Sequence, residues 1–96
     1  MGWQDRFSLK GRKALITGAS KGIGAEIATV FAEAGADIVA LGRDRNGLAS
    51  TAAAVRARGR QCLTLLAEMA SATEPVAACE RALAQWGTID ILVNSA

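Results

Sequence analysis

Thr17-Gly18-Ala19-Ser20-Lys21-Gly22-Ile23-Gly24 is the stretch on which the fold turns. It stands between an apolar run suited to a strand, Lys13-Ala14-Leu15-Ile16-Thr17, and a segment with helical spacing, Ile23, Ile27, Val30, Phe31 and Ala34. A glycine-rich turn from strand to helix is the setting of a phosphate-binding loop. Glycine lets the backbone turn sharply and approach a pyrophosphate with no side chain between. The free N–H groups at the helix start, aided by the helix dipole, then face the anion. Three rival motifs fare worse. The Walker A spacing counted from Gly18 demands Gly where Ile23 stands. The G-x-G-x-x-G spacing is absent, because these glycines run G-x-x-x-G-x-G. Gly18-Ala19-Ser20-Lys21-Gly22 does fit the nucleophile-elbow pattern G-x-S-x-G. A serine nucleophile needs a base, however, and the chain contains no His. A glycine-rich turn that binds nothing stays as the bland alternative.

Outward from the loop, strand and helix patterns alternate. Gly35 stops the first helix, and Asp37 to Leu41 reads as a second strand. Asp44 suits the N-cap of a second helix that carries Leu48, Ala52 and Val55 and ends at Gly59. Gln61 to Leu66 is a third strand. Ser71 or Thr73 caps a third helix, with Pro75 in its first turn and Val76, Cys79, Leu83 and Trp86 on one face. That helix stops at Gly87, and Ile89 to Val93 is a fourth strand. Strands apolar on both faces, alternating with amphipathic helices, imply a parallel sheet covered on both sides. Right-handed crossovers wind such units one way, so the expected fold class is α/β, a partial Rossmann-like parallel sheet with about four strands and three helices. The last apolar strand has nothing after it to pair with or cover it, so the chain is expected to be cut short, and by itself to be marginally stable or to aggregate through Ile89 to Val93.

Composition narrows the function. With 51% hydrophobic and 21% charged residues, the chain has the make-up of a water-soluble globular domain. A formal net charge of +2 is too small and scattered for a nucleic-acid binder, and Lys10, Arg12 and Lys13 read as a solvated approach to the first strand. There is no His and no Tyr, which removes His metal ligands and a tyrosine general acid together; no metal site is expected. Cys62 and Cys79 fall in apolar patterns and read as small, reduced core residues. Met1-Gly2-Trp3-Gln4-Asp5-Arg6 has no apolar run long enough for a signal peptide, and Arg6 stands where a myristoylation signal has Ser or Thr. No stretch approaches a membrane span. The expected location is cytoplasmic.

Thr17-Gly18-x-x-x-Gly22-x-Gly24 resembles the cofactor fingerprint of the short-chain dehydrogenase/reductase family. Phe7-Ser8-Leu9-Lys10-Gly11-Arg12 looks like that family's lead into its first strand. Trp86-Gly87-Thr88-Ile89-Asp90-Ile91-Leu92-Val93-Asn94-Ser95-Ala96 resembles the segment ending in its Asn-Asn-Ala-Gly motif, with Ser95 in place of the second Asn. The match covers nearly the whole chain. It implies that residues 1–96 are the N-terminal part of a single NAD(P)-binding Rossmann domain. By the same resemblance, cofactor contact falls to Gly18, Ser20, Lys21, Gly22, Ile23 and Gly24, to Arg43, to Glu68 and Met69, and to Asn94 and Ala96.

The residue just past the second strand decides between NAD and NADP, since a carboxylate there binds the ribose 2′-OH and a basic residue accommodates a 2′-phosphate. By resemblance the NAD-type acid would occupy the position of Gly42 and the NADP-type arginine that of Arg43. Lys21 adds a second cation near the same phosphate. Asp44 competes for the ribose, but an Asp directly before a helical pattern is better read as an N-cap. NADP is therefore expected over NAD. Glu68 stands where the family places an Asp that contacts adenine, beside the backbone amide of Met69, and Asn94 is expected to tie strands together near the ribose.

The resemblance implies a parent enzyme that passes hydride between NADP(H) and a small carbonyl or alcohol substrate. The Ser, Tyr, Lys and Asn that do this chemistry in the family follow the Asn-Asn-Ala-Gly motif, so no catalytic residue is expected in these 96 residues. The parent is expected to be a homo-oligomer. The alternative is a non-catalytic dinucleotide-binding module or sensor with the same fold, and a Tyr-x-x-x-Lys pair downstream would separate the two. A methyltransferase-type relative fits the fold but not this glycine spacing.

Overall fold

The computed structural model describes residues 8–95. The N-terminal residues 1–6, Phe7 of the lead-in and the candidate Ala96 lie outside the described residues. Strands and helices alternate as β1 (Lys13–Thr17), α1 (Gly22–Glu33), β2 (Asp37–Gly42), α2 (Arg45–Ala57), β3 (Cys62–Leu66), α3 (Glu74–Trp86) and β4 (Ile91–Asn94). The strands form one parallel sheet in the order β3-β2-β1-β4. Leu15 lies opposite Val39 on one side and Leu92 on the other. This is the Rossmann-like α/β arrangement expected from the alternating pattern.

Strand alternation divides the apolar residues between two layers. Ala14, Ile16, Ile38, Ala40 and Cys62 point to the face covered by α1 and α2, where they meet Ala28, Ala32, Leu48, Ala52 and Val55. Leu15, Val39, Leu41 and Leu65 point to the other face and meet Ala78 and Ala82 of α3. Leu15, Ile16, Ile38, Val39 and Leu41 are fully buried. Each such side chain contributes about 1.5–3 kcal/mol relative to exposure, so β1 and β2 form the rigid centre on which the loops stand.

Local signals end the helices where expected. Gly35 adopts φ +107 after α1, letting its N–H reach Ala32 O (3.0 Å) and that of Ala36 reach Phe31 O (3.0 Å). Asp44 caps α2, its Oδ1 accepting from Asn46 N (3.2 Å). Thr73 occupies the N-cap position of α3, but Ser71 does the capping: its Oγ accepts from Glu74 N (3.3 Å) and Thr73 N (3.2 Å).

Three expectations are corrected. The buried stripe of α3 is Ala78 and Ala82, with Cys79 and Trp86 on its margin; Val76 and Leu83 are exposed. The two alanines share an apolar cluster with Leu15, Val39, Leu41 and Leu65, with Cys79 and Trp86 packed against it. β3 and β4 start later than expected, at Cys62 and Ile91, while Ile89 packs under α3 ahead of its strand. Asp90 already anchors that approach, since its N–H donates to Lys13 O (2.8 Å) and its Oδ2 accepts from Lys13 N (2.9 Å). Only the two central strands are buried on both faces; on β4, Leu92 is 67% exposed.

Candidate functional site

The chain runs outward from β1 to β2 to β3 and then returns to the other side of β1 as β4. That reversal is the topological switch point where open α/β sheets form a crevice beyond the carboxyl ends of their strands. A cleft of about 500 Å³ lies there. Gly18, Ser20, Lys21, Gly22, Ile23 and Gly24 line it from the β1–α1 loop, Gly42 and Arg43 from the end of β2, Ala67, Glu68 and Met69 from the end of β3, and Ser95 from the end of β4.

The loop takes its shape from two kinds of glycine. Gly18 has φ +62, a left-handed conformation that other residues adopt only with strain. Gly24 has ordinary helical backbone, but a Cβ there would fall on Gly18 O and close to Ser95 Oγ. The loop is also strapped down from outside. Ala19 N donates to Leu41 O (3.0 Å), and the buried Thr51 of α2 donates its hydroxyl to Ala19 O (2.6 Å). Gly47, in the first turn of α2, leaves room for Ser20 O, which a side chain would strike. Lys21, at the N-cap of α1, is extended and makes no side-chain cap bond, and no acidic residue stands in the first turn. The first turn of α1 thus brings no carboxylate of its own to the positive end of the helix, and Gly22, Ile23 and Gly24 present that end to the cleft.

No non-glycine among the described residues has positive φ, so Ser20 lacks the strained geometry of a nucleophile elbow. Arg43 is 78% exposed at the side chain, and its Nη1 lies 3.7 Å from Glu68 Oε2. Glu68 in turn accepts from Ala70 N through Oε1 (3.2 Å), and its own N–H donates to Glu74 Oε1 (2.9 Å). Asp44 is engaged in capping α2. No group of three or more His, Cys, Asp or Glu among the described residues is arranged to hold a metal ion.

At the end of β4 two neighbours take different roles. Asn94 does not line the cleft; its Oδ1 accepts from Thr17 Oγ1 (2.9 Å) and ties β4 to β1. Ser95 lines it instead, with its Oγ donating to Thr17 O (2.5 Å) and its N–H to Thr17 Oγ1 (3.1 Å). Gly42, Ala67 and Ser95 were not among the sequence candidates. Each follows directly from the rule that crevices form at strand carboxyl ends, once the ends of the strands are known.

The short chain dehydrogenase model matches residues 12–96. The chain belongs to the short chain dehydrogenase family. Among its relatives, 2-dehydro-3-deoxy-D-gluconate 5-dehydrogenase of Dickeya dadantii is 42% identical over 92 residues, which are 96% of this chain and 36% of that enzyme. The 3-oxoacyl (acyl-carrier-protein) reductase of Agrobacterium tumefaciens, solved with NADP bound, superposes with TM-score 0.87 at 36% identity, covering all of this chain and 37% of that one. L-Sorbose reductase of Gluconobacter frateurii, complexed with NADPH and L-sorbose, gives TM-score 0.87 at 35% identity over 94% of this chain and 35% of that one. The chain thus spans roughly a third of the length of the relatives it matches. None of its helices, among the described residues, is long and apolar enough to cross a membrane.

Proposed function

We propose that this chain is the NADP(H)-binding N-terminal part of a single-domain short chain dehydrogenase, whose parent transfers hydride between NADP(H) and a small carbonyl or alcohol substrate. The observation that carries it is the convergence of the glycine loop, the open N-terminus of α1 and Arg43 on one cleft at the switch point of the sheet.

The residues suit a dinucleotide. Backbone N–H groups at the start of α1 would hold the pyrophosphate, and the bare Cα atoms of the loop would let it come close. Lys21 and Arg43 would take the 2′-phosphate as charge-assisted donors. Glu68 and Met69 would border the adenine, while Asn94, through its tie to Thr17, would hold the end of β4 beside the ribose. The relatives solved with NADP or NADPH lend weight to this choice of cofactor. The cofactor supplies the hydride. With no Tyr and no His in the chain, the role assigned to these residues is to bind and orient, without acid–base work. The parent is taken to work in the cytoplasm as a homo-oligomer.

Arg43→Asp tests the cofactor assignment. It should weaken NADP binding while leaving NAD binding nearly unchanged; an equal loss for both dinucleotides would reject Arg43 as the phosphate ligand.

A further inference from the structure

Arg43 has acidic neighbours at the end of β3 and the start of α3. A small cavity beside the cleft is lined by Arg43, Leu66, Ala67, Glu68 and Glu74. Glu68 is held there by its bond from Ala70 N, and its backbone is fixed by Glu74. Its other carboxylate oxygen faces the Arg43 guanidinium at 3.7 Å, although both side chains could extend into water. The cation best placed to select a 2′-phosphate is thus engaged by a positioned carboxylate.

We propose that Glu68 is a specificity-determining residue that limits the preference of this site for a 2′-phosphorylated dinucleotide by competing for Arg43. The inference rests on the cofactor site described above and adds a brake to it. A phosphate dianion arriving at Arg43 must share the guanidinium with Glu68 and lie near its negative charge. A dinucleotide with a free 2′-hydroxyl brings no such charge and meets no such competition. An exposed ion pair is worth at most about a factor of five in an equilibrium constant, which sets the size of the brake. The site is accordingly one of moderate NADP preference, adjustable from the end of β3.

Glu68→Gln keeps an acceptor for Ala70 N and removes the charge. Calorimetric titration of the full chain with NADP and NAD should show the ratio of NADP to NAD affinity rising by up to about fivefold in Glu68→Gln, since any change at the shared adenine falls on both dinucleotides alike. The gain should shrink at high salt, as expected for charges near water. Glu33→Gln, which removes a carboxylate paired with Arg58 elsewhere on the molecule, serves as the control for net charge and should leave both affinities alone. Arg43→Gln separates the two levels of inference. If it abolishes the difference between NADP and NAD while Glu68→Gln shifts neither, or shifts both alike, the brake is refuted and the cofactor site stands. If Arg43→Gln leaves the difference intact, or the parent chain binds neither dinucleotide, the site itself is refuted and the brake with it.

Discussion

Gly24→Ala should destabilise this protein, although helix propensity alone predicts the opposite. Gly24 lies inside α1, where replacing Gly by Ala ordinarily stabilises by up to about 1 kcal/mol. Here the new methyl would land on Gly18 O and 2.6 Å from Ser95 Oγ. Gly18 cannot retreat cheaply. It precedes Ala19, whose N–H is bonded to Leu41 O at 3.0 Å and whose carbonyl accepts from Thr51 at 2.6 Å. Forcing an extra carbon into such a place costs about 1–3 kcal/mol. Displacing Ser95 loses its bond to Thr17 O, a further ~0.5–1.5 kcal/mol. Set against the propensity gain, the balance is a loss of roughly 1–3 kcal/mol, which lowers the melting temperature of a chain this size by about 5–20 °C. Thermal melting followed by circular dichroism measures it. A variant as stable as the parent, or more stable, would refute the close packing of α1 on the loop.

Other consequences follow from the same contacts. Thr51→Val keeps the side-chain volume but strands the buried Ala19 carbonyl, at about 1–3 kcal/mol, while Thr51→Ser keeps the bond; urea denaturation should rank Val below Ser, and the reverse order would mean that packing alone holds the loop. Burial pushes the Cys62 thiol from its ordinary 9.0 up to about 11, against the lowering effect of the Arg56 guanidinium. The folded chain then keeps that thiol neutral where the unfolded chain ionises it, so stability is intact below pH 9 and falls between pH 9 and about 11. Cys62→Ala should lose this part of the alkaline decline, and parallel melting curves for the two proteins would contradict it. β4 lies at the sheet edge with Leu92 67% exposed, so the chain should self-associate in sedimentation experiments and Leu92→Lys should shift it toward monomer; an unchanged distribution would place the contact elsewhere.

Much of this fold is legible along the chain because its signals are local. The strand–glycine–helix junction at Thr17–Gly24, the cap at Asp44 and the stops at Gly35 and Gly87 each depend on a few adjacent residues. Reading fails where a choice is made across the sheet. Hydropathy favours Val76 and Leu83 for the inner face of α3, yet the small Ala78 and Ala82 are the residues turned to the sheet. The bonds between Thr17 and both Asn94 and Ser95 join residues 77 and 78 positions apart, and nothing near residue 94 reveals which of the two neighbours faces the cleft. Gly47 and Thr51 look like ordinary helix residues until α2 is seen to press on the glycine loop. The site's scaffold is thus written locally, and its tuning depends on contacts that only the folded sheet brings together.

The most direct test is a calorimetric titration of the chain with NADP(H), using NAD(H) as the control. Saturable binding of one dinucleotide per chain, tighter for NADP(H) and weakened by Gly24→Ala, is the result expected of a formed half-site at the switch point. A folded chain that binds neither dinucleotide would contradict it.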